Sequence, residues 1–93
     1  MNKGELVTSI SEKVDCTKIV AEKFLNSVME AVLESLQKGN DVNLIGFGTF
    51  YVKDRKERVG RNPKTGEKMM LKAYRQPSFR AGKRMKELCN EQN

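Results

Sequence analysis

The N-terminal part of the chain has apolar residues at the spacing of an amphipathic α-helix. A first series runs from Leu6 to Val14, and a second, longer series runs from Ala21 to Leu36. Asn2, followed by Glu5 as in a capping box, precedes the first series, and Thr17 precedes the second. The pattern therefore predicts two helices, separated by a break at Asp15–Cys16.

The second helix has an apolar face that is too broad for one short helix to cover. That face comprises Ala21, Phe24, Leu25, Val28, Met29, Val32, Leu33 and Leu36. A chain of 93 residues buries only a small core by itself, so a second copy packing on this face is expected. The alternative is that the sheet predicted below covers the whole face. Gly39 is expected to end the helix.

The middle of the chain has the pattern of strands rather than of a helix. Val42–Ile45 and Thr49–Val52 are short apolar runs, and Gly46–Gly48 between them predicts a sharp turn that places the Phe47 ring in the core. The N–H groups of such a turn can also bind a phosphate, which would make Gly46 a ligand contact. A simple hairpin turn is the better account of the glycines alone.

A two-stranded ribbon is predicted after the second strand. That strand continues into the charged segment Lys53–Val59, and a third strand returns over Lys68–Arg75. At ~3.3 Å per residue, about ten residues on each side extend ~30 Å, which is long enough to follow a nucleic-acid groove. At the tip, Asn62–Thr65 predicts a type I turn that Gly66 closes in the left-handed conformation. Such an isolated ribbon is expected to be mobile until it binds.

The C-terminal segment predicts a short helix with one basic side. Pro77 is expected to end the third strand, and the helix is expected over Arg80–Cys89. Its inward-facing residues would be Met85, Leu88 and Cys89. The last residues, 90–93, are expected to fray.

Positive charge is concentrated in the ribbon. The chain has 18 Lys and Arg against 12 Asp and Glu, a net charge of +6. Nine of the basic residues and three of the acidic residues lie between Lys53 and Arg75, so this stretch carries the whole excess. A concentrated positive patch attracts polyanions, and the ribbon is therefore predicted to contact nucleic acid.

Composition also excludes several classes of protein. The chain has no His, and its cysteines, Cys16 and Cys89, form no CxxC pair, which argues against a zinc site or a catalytic pairing. We therefore expect no enzymatic activity, cofactor or metal, and structural roles for both cysteines. No apolar run approaches the ~20 residues of a membrane span, and Met1–Glu5 is polar, so a cytosolic protein is expected.

The residue types at the ribbon tip leave two interpretations open. Pro63 can be an ordinary turn residue, since its fixed φ suits the second position of the turn. It can also be a rigid apolar wedge, of the kind that minor-groove architectural proteins insert between base steps at a cost on the order of a few kcal/mol. Double-stranded RNA and membrane surfaces are alternative partners. Binding of double-stranded RNA requires a shape that matches a wide, shallow minor groove. Binding to a membrane surface requires a basic amphipathic helix, whereas the basic segment here is predicted to be a ribbon.

Three segments carry a family resemblance. Gly46–Phe50, Gly60–Glu67 and Pro77–Lys83, in this order and spacing, closely resemble the bacterial HU and integration host factor family, and Ala81–Lys83 is closer to HU. The resemblance covers essentially the whole chain. It implies an α+β intertwined dimer with two N-terminal helices and a short C-terminal helix at its base, and a three-stranded antiparallel sheet extended into a β-ribbon arm.

The resemblance also implies a division of the chain and a function. Residues 1–52 and 76–93 would form the dimerisation body, and residues 53–75 would form the DNA-binding arm. The implied protein binds the minor groove of bacterial DNA with little sequence specificity, and bends, wraps and compacts it in the nucleoid. Its partners would be DNA, preferably bent, nicked or gapped, and a second copy of itself, with no membrane and no small-molecule substrate. The alternative is a sequence-preferring subunit of the integration host factor type.

Site residues follow from the motif match. Pro63 would intercalate, as in HU and integration host factor, which are established examples of the wedge mechanism. The residues in or near the minor groove would be Arg58, Arg61 and Asn62. Those lining the arm would be Lys53, Arg55, Lys64, Lys72 and Arg75. Those contacting DNA on the body would be Lys3, Gly46, Arg80, Lys83 and Lys86. The core would contain Phe47, Phe50 and Phe79, and Tyr74 is bulkier than the small residue that the family pattern implies.

Overall fold

The computed structural model describes residues 1–91. Its elements are α1 (Lys3–Val14), α2 (Lys18–Gln37), β1 (Val42–Leu44), β2 (Gly48–Arg55), β3 (Arg58–Arg61), β4 (Lys68–Leu71), β5 (Tyr74–Ala81) and α3 (Lys83–Cys89). They divide into two compact units, one of residues Met1–Ser35 and one that begins at Leu36. Gln92 and Asn93, for which fraying was predicted, lie outside the described residues.

Both N-terminal helices begin at the residues that the local sequence predicts. The Asn2 side-chain oxygen accepts a hydrogen bond from the Glu5 N–H at 2.9 Å, and the Thr17 hydroxyl oxygen accepts one from the Val20 N–H at 3.2 Å. Each bond satisfies one of the N–H groups that have no partner within the helix. The predictions of Asn2 and Thr17 as capping residues are confirmed.

Both helices also end as predicted. Asp15 adopts the left-handed conformation, with φ 59°, and its N–H donates to the Ser11 carbonyl. Gly39 has φ 83°, and its N–H donates to the Leu36 carbonyl at 2.9 Å. A left-handed residue just after a helix satisfies carbonyls that would otherwise lack donors, so these residues stop the helices.

The first unit leaves most of its apolar surface exposed. Val7 and Ala21 are its buried apolar residues. The exposed apolar residues of α2 are Ile19, Val20, Phe24, Val28, Met29 and Leu33. Of the broad apolar face predicted for α2, Phe24, Val28, Met29 and Leu33 are therefore open in the single chain. Ala21 is buried, and Leu25, Val32 and Leu36 are half-buried.

The second unit is built on a three-stranded antiparallel sheet in the order β1-β2-β5. Phe50 in the central strand lies opposite both Val42 and Phe79. The prediction that Pro77 ends the third strand is wrong, because Pro77 lies inside β5, opposite Val52. Strand β5 is an edge strand, where a residue without an N–H can be accommodated on the unpaired side.

The C-terminal helix is shorter than predicted. Arg80 and Ala81, predicted to be helical, instead extend β5 opposite Thr49 and Gly48. Pairing with β2 supplies their backbone hydrogen bonds, so the helix begins only at Lys83.

The residues predicted to face inward are incompletely covered. Met85 is half-buried, but Leu88 and Cys89 are exposed in the single chain.

The three phenylalanines form one cluster, with ring centroids 5.8 Å apart for Phe47 and Phe79 and 4.8 Å apart for Phe50 and Phe79. Phe47 is nevertheless 50% exposed and Phe79 is 40% exposed. The predicted core is thus only partly closed.

The arm, residues 53–75, is not the single continuous ribbon that the sequence suggests. Strands β3 and β4 form a separate two-stranded sheet, and the pairing is interrupted at Lys56–Glu57 on one side and Lys72–Ala73 on the other. The same number of residues is skipped on each side, so the register on both sides of the interruption is the same. The four unpaired residues are of types that are depleted in strands.

Candidate nucleic-acid interface

Strand alternation places several predicted contact residues on one face of the three-stranded sheet. Lys53 and Arg55 in β2 share this face with Arg80 in β5, because Thr49 pairs with Arg80 and alternate residues of a strand share a face. Tyr51 lies on the same face, and the Arg80 guanidinium lies 5.0 Å from the centre of its ring. This cation–π contact holds Arg80 against the sheet.

Arg55 is oriented by a neighbour that the sequence analysis did not identify. Its Nε donates to the Gln76 side-chain oxygen at 2.8 Å. The bond uses one of the five N–H donors of the guanidinium and fixes its plane. The register of β2 with β5 places Gln76 opposite Lys53 and so diagonal to Arg55 on the same face, a placement that the sequence pattern alone does not give.

Arg75 makes contacts within the protein. Its Nη1 donates to the Gln37 carbonyl at 3.1 Å, and its Nε lies 3.7 Å from the Asp54 carboxylate. The first contact supplies a donor to a carbonyl at the C-terminal end of α2. Arg75 therefore has a structural role at the base of the arm, where the arm joins the three-stranded sheet. Its contact with DNA stays a prediction.

The predicted minor-groove arginines, Arg58 and Arg61, are at the two ends of β3. Both are exposed. Arg61 donates from Nη1 to the Gly66 carbonyl at 3.4 Å, which turns its guanidinium toward the tip. At Gly60, between them, an added Cβ would lie 3.0 Å from a Leu71 methyl group, so the glycine makes room for an apolar contact across the ribbon.

The tip is a closed and hydrogen-bonded turn. The Asn62 N–H donates to the Glu67 carbonyl at 2.8 Å, and the Gly66 N–H donates to the Asn62 carbonyl at 2.7 Å. The Asn62 side-chain oxygen accepts from the Lys64 N–H at 2.9 Å. Gly66 has φ 73°, as predicted. Pro63 is exposed at this turn, and its backbone position is fixed by the bonds around it.

The predicted contact residues outside the arm are exposed, and two of them are paired with carboxylates. Lys3, in the first unit, lies 3.8 Å from Glu22, and Lys83 lies 3.9 Å from Glu87. Solvent-exposed pairs of this kind are worth about 1 kcal/mol or less, so a phosphate can replace the carboxylate at little cost. Gly46 and Lys86, also outside the arm, are exposed, and so are the arm residues Lys64 and Lys72.

The Gly46–Gly48 loop is fixed to the start of α3. Gly46 has φ 86°, and the neighbouring Phe47 carbonyl accepts a hydrogen bond from the Gly82 N–H at 2.8 Å. A Cβ at Gly82 would lie 3.0 Å from that carbonyl, closer than side-chain carbons usually pack, so glycine favours this approach. This hydrogen bond thus holds the loop beside Lys83, another predicted DNA contact.

Over residues 1–91, no group of three or more Cys, Asp or Glu residues is arranged to hold a metal ion. No helix in the described part of the chain is long and apolar enough to cross a membrane. Cys16 is half-buried and Cys89 is exposed, and both are free thiols.

Comparison with known proteins gives consistent matches along the chain. Residues 1–90 match the family model described as "Bacterial DNA-binding protein". DNA-binding protein HU-beta of Neisseria meningitidis is 49% identical over 87 residues, which cover 94% of this chain and 98% of that protein. DNA-binding protein HU-beta of Escherichia coli is 47% identical over 90 residues, covering 97% of this chain and 100% of that protein.

Solved structures are similar in fold as well. A cocrystal structure of Anabaena HU with DNA matches with a TM-score of 0.90 at 46% identity, covering 99% of this chain and 100% of that one. An HU mutant from Thermotoga maritima matches with a TM-score of 0.72 at 27% identity, covering 97% of this chain and 100% of that one. Both matches extend through the helices, the sheet and the arm.

Proposed function

This chain belongs to the bacterial DNA-binding protein family, and we propose that it is an HU-type architectural protein that binds the minor groove with little sequence specificity and bends, wraps and compacts DNA. The HU-type proteins that it matches are DNA-binding proteins without catalytic activity, and the chain is not an enzyme. The curated relatives are named as HU, and the similar Anabaena protein was solved with DNA, which supports the DNA partner.

The observation that carries the proposal is the exposed basic arm with Pro63 at its tip. Arg58 and Arg61 are exposed on the two-stranded ribbon, and Lys53 and Arg55 are exposed at the end of β2. Most of the affinity is assigned to these cations and to the body lysines, because neutralising phosphates releases counterions. Binding is therefore expected to weaken steeply as salt increases.

Pro63 is assigned the role of wedge. The hydrogen bonds of Asn62, Lys64 and Gly66 hold the turn, so the ring can enter between base pairs without the turn reorganising. Unstacking one step costs on the order of a few kcal/mol, which wider contact with the bent duplex offsets, as is established for this family. Nicked, gapped or already kinked DNA costs less to bend and should bind more tightly.

A second copy of the chain is proposed to complete the fold. Helix α2 exposes a broad apolar face, in which Phe24 is 60% exposed and Leu33 is 65% exposed. The second unit has its own open apolar groove of about 450 Å³, lined by Ile45, Phe47, Leu88 and neighbouring residues. Apolar surfaces of this extent on a small chain mark an interface. The dimer would present two arms to one duplex, with residues 1–52 and 76–93 as its body, and would act in the bacterial nucleoid.

A gel-shift series on intact, nicked and four-way-junction DNA at several salt concentrations tests the proposal. In the same series Arg61→Ala should weaken binding and flatten the plot of log K against log salt by about 0.9 for each phosphate that is no longer neutralised. Lys13→Ala is the matched control, because it removes one exposed positive charge from the end of α1, outside the proposed interface, and should leave the slope unchanged.

Two kinds of binding result count against the proposal. If the wild-type protein fails to shift duplex DNA at low salt, or binds intact, nicked and junction DNA equally, the architectural role is wrong. If Arg61→Ala and Lys13→Ala give the same slope, Arg61 is not a phosphate contact.

A further inference from the structure

Tyr74 occupies an unusual position at the interruption of the arm. It is the first residue of β5, opposite Arg55, the last residue of β2, and the next residues on each strand, Lys56 and Ala73, are unpaired. Its side chain is 53% exposed. An exposed aromatic ring here has no role in the wedge or phosphate contacts proposed above.

The surroundings of Tyr74 are cationic. Its ring borders an open cleft of about 490 Å³, lined by Arg55, Lys56, Glu57, Arg58, Tyr74 and Gln76. Three cations thus face one carboxylate in this cleft. One of the cations, Arg55, is held in place by its 2.8 Å hydrogen bond to Gln76. Cations along the wall can bind phosphates while the aromatic ring offers a surface for a base.

By contrast, the ring of the other tyrosine, Tyr51, is already in contact with a cation. Tyr51 lies on the same face of the sheet, and the Arg80 guanidinium already lies 5.0 Å from the centre of its ring. Over residues 1–91, no comparable ring or cation contact is found for Tyr74. Tyr74 therefore has an aromatic face that is available to a ligand.

We propose that Tyr74 stacks on an unpaired nucleotide of gapped DNA, whose flanking phosphates are bound by Arg55, Lys56 and Arg58. The inference rests on the proposed DNA-binding function, and it assigns the proposed preference for gapped DNA to one specific residue. In an intact duplex each base is stacked between neighbours, whereas a base in a gap has a free face. Stacking on an aromatic residue is sequence-tolerant, since every base has such a face.

The composition of the chain allows a direct measurement. The protein has two tyrosines and no tryptophan, so Tyr51→Phe leaves Tyr74 as the sole source of tyrosine emission and keeps a ring beneath Arg80. Titration of Tyr51→Phe with gapped DNA should quench this emission, and intact duplex of the same sequence should not. In Tyr74→Phe only Tyr51 emits, so this variant is the control for absorption of the exciting and emitted light by the DNA.

Binding measurements provide the second readout. Tyr74→Leu should reduce the ratio of gapped to intact affinity by roughly five- to 150-fold, the range expected for removal of one stacked base. Tyr74→Phe should retain the ratio, and both variants should bind intact duplex like the wild type.

Three outcomes overturn the inference. They are unchanged affinities for both gapped and intact DNA in Tyr74→Leu, an equal reduction of both affinities in that variant, and no difference between the two DNAs in the quenching of Tyr51→Phe. The first and third leave the proposed function standing, because wild-type binding to intact duplex is measured in the same series, and the second makes Tyr74 an ordinary duplex contact. Failure of the wild-type protein to bind duplex would instead remove the proposed function itself.

Discussion

Individual side chains in the arm differ in how much of their hydrogen-bonding capacity the protein uses. Arg75 is engaged by Asp54 and by the Gln37 carbonyl, whereas Arg58 has no hydrogen bond or ion pair among the described residues and is exposed. Pro63 needs no acceptor for its nitrogen, which carries no hydrogen, and is surrounded by a turn whose bonds are already made. Residues of the same charge therefore have different roles according to their local partners.

Replacing the tip proline should separate bending from binding. Pro63→Ala removes the rigid apolar ring but no charge, so it should reduce the bend angle more than the affinity, which is assigned to phosphate contacts. Ring closure of short DNA fragments by ligase measures the bend, and gel shift measures the affinity. Pro77→Ala is the control, because Pro77 is the other proline and lies within β5. A bend that is unchanged in Pro63→Ala refutes the wedge role.

At the scale of elements, the approach of β2 to its neighbours depends on one glycine. Gly48 is buried and pairs with Leu44 in β1 and with Ala81 in β5. A Cβ at this position would overlap the Phe79 ring and lie 2.7 Å from the Arg80 carbonyl. The backbone oxygen cannot move without breaking the strand pairing, so only glycine is accommodated.

Enlarging this glycine should therefore destabilise the sheet. Gly48→Ala is expected to lower the free energy of unfolding by about 1–3 kcal/mol, the usual cost of overpacking. Urea unfolding followed by circular dichroism, at one fixed protein concentration, measures the change. Gly4→Ala is the control, since a Cβ there meets only the Asn2 side chain at an ordinary 3.5 Å and alanine favours helix. Equal midpoints for Gly48→Ala and the wild type would show that the strands can separate to admit the methyl group.

At the scale of the whole molecule, the apolar residues of a single chain are poorly covered. Over residues 1–91 the buried apolar residues are Val7 and Ala21, while Phe24 and Val28 on α2 and Ile45 beside the β1–β2 turn are each more than half exposed. A core of this size contributes little stabilisation to a small domain. The stability of the protein should accordingly depend on its concentration.

A charge on the open face of α2 should prevent association. Val28→Glu places a carboxylate where the second copy would pack, and burying an unpaired charge is strongly unfavourable. Sedimentation equilibrium should show a dimer for the wild type and a monomer for Val28→Glu. Lys23→Glu, a larger change in charge at an exposed position on the polar side of the same helix, should remain dimeric. A wild-type protein that is monomeric at all concentrations would refute the proposed dimer.

Much of the local structure could be predicted from the sequence, because it depends on residues close together in the chain. The caps at Asn2 and Thr17, the left-handed glycines at positions 39 and 66, and the concentration of charge in the arm all follow from short-range rules. The position of the tip turn was identified in the same way, whereas the α+β class was implied by the family resemblance. The family resemblance, confirmed by the match over residues 1–90, added the expected role of each basic residue.

The tertiary structure alone decided features that depend on pairing between distant segments. Sequence patterns ended β5 at Pro77 and started the last helix at Arg80, but the register with β2 carries the strand through both residues. The interruption of the arm, the hydrogen bond from Arg55 to Gln76 and the engagement of Arg75 likewise follow from which residues face each other. Periodicity fixes which side of a strand a residue occupies, whereas its partner across the sheet is set by the register of the whole fold.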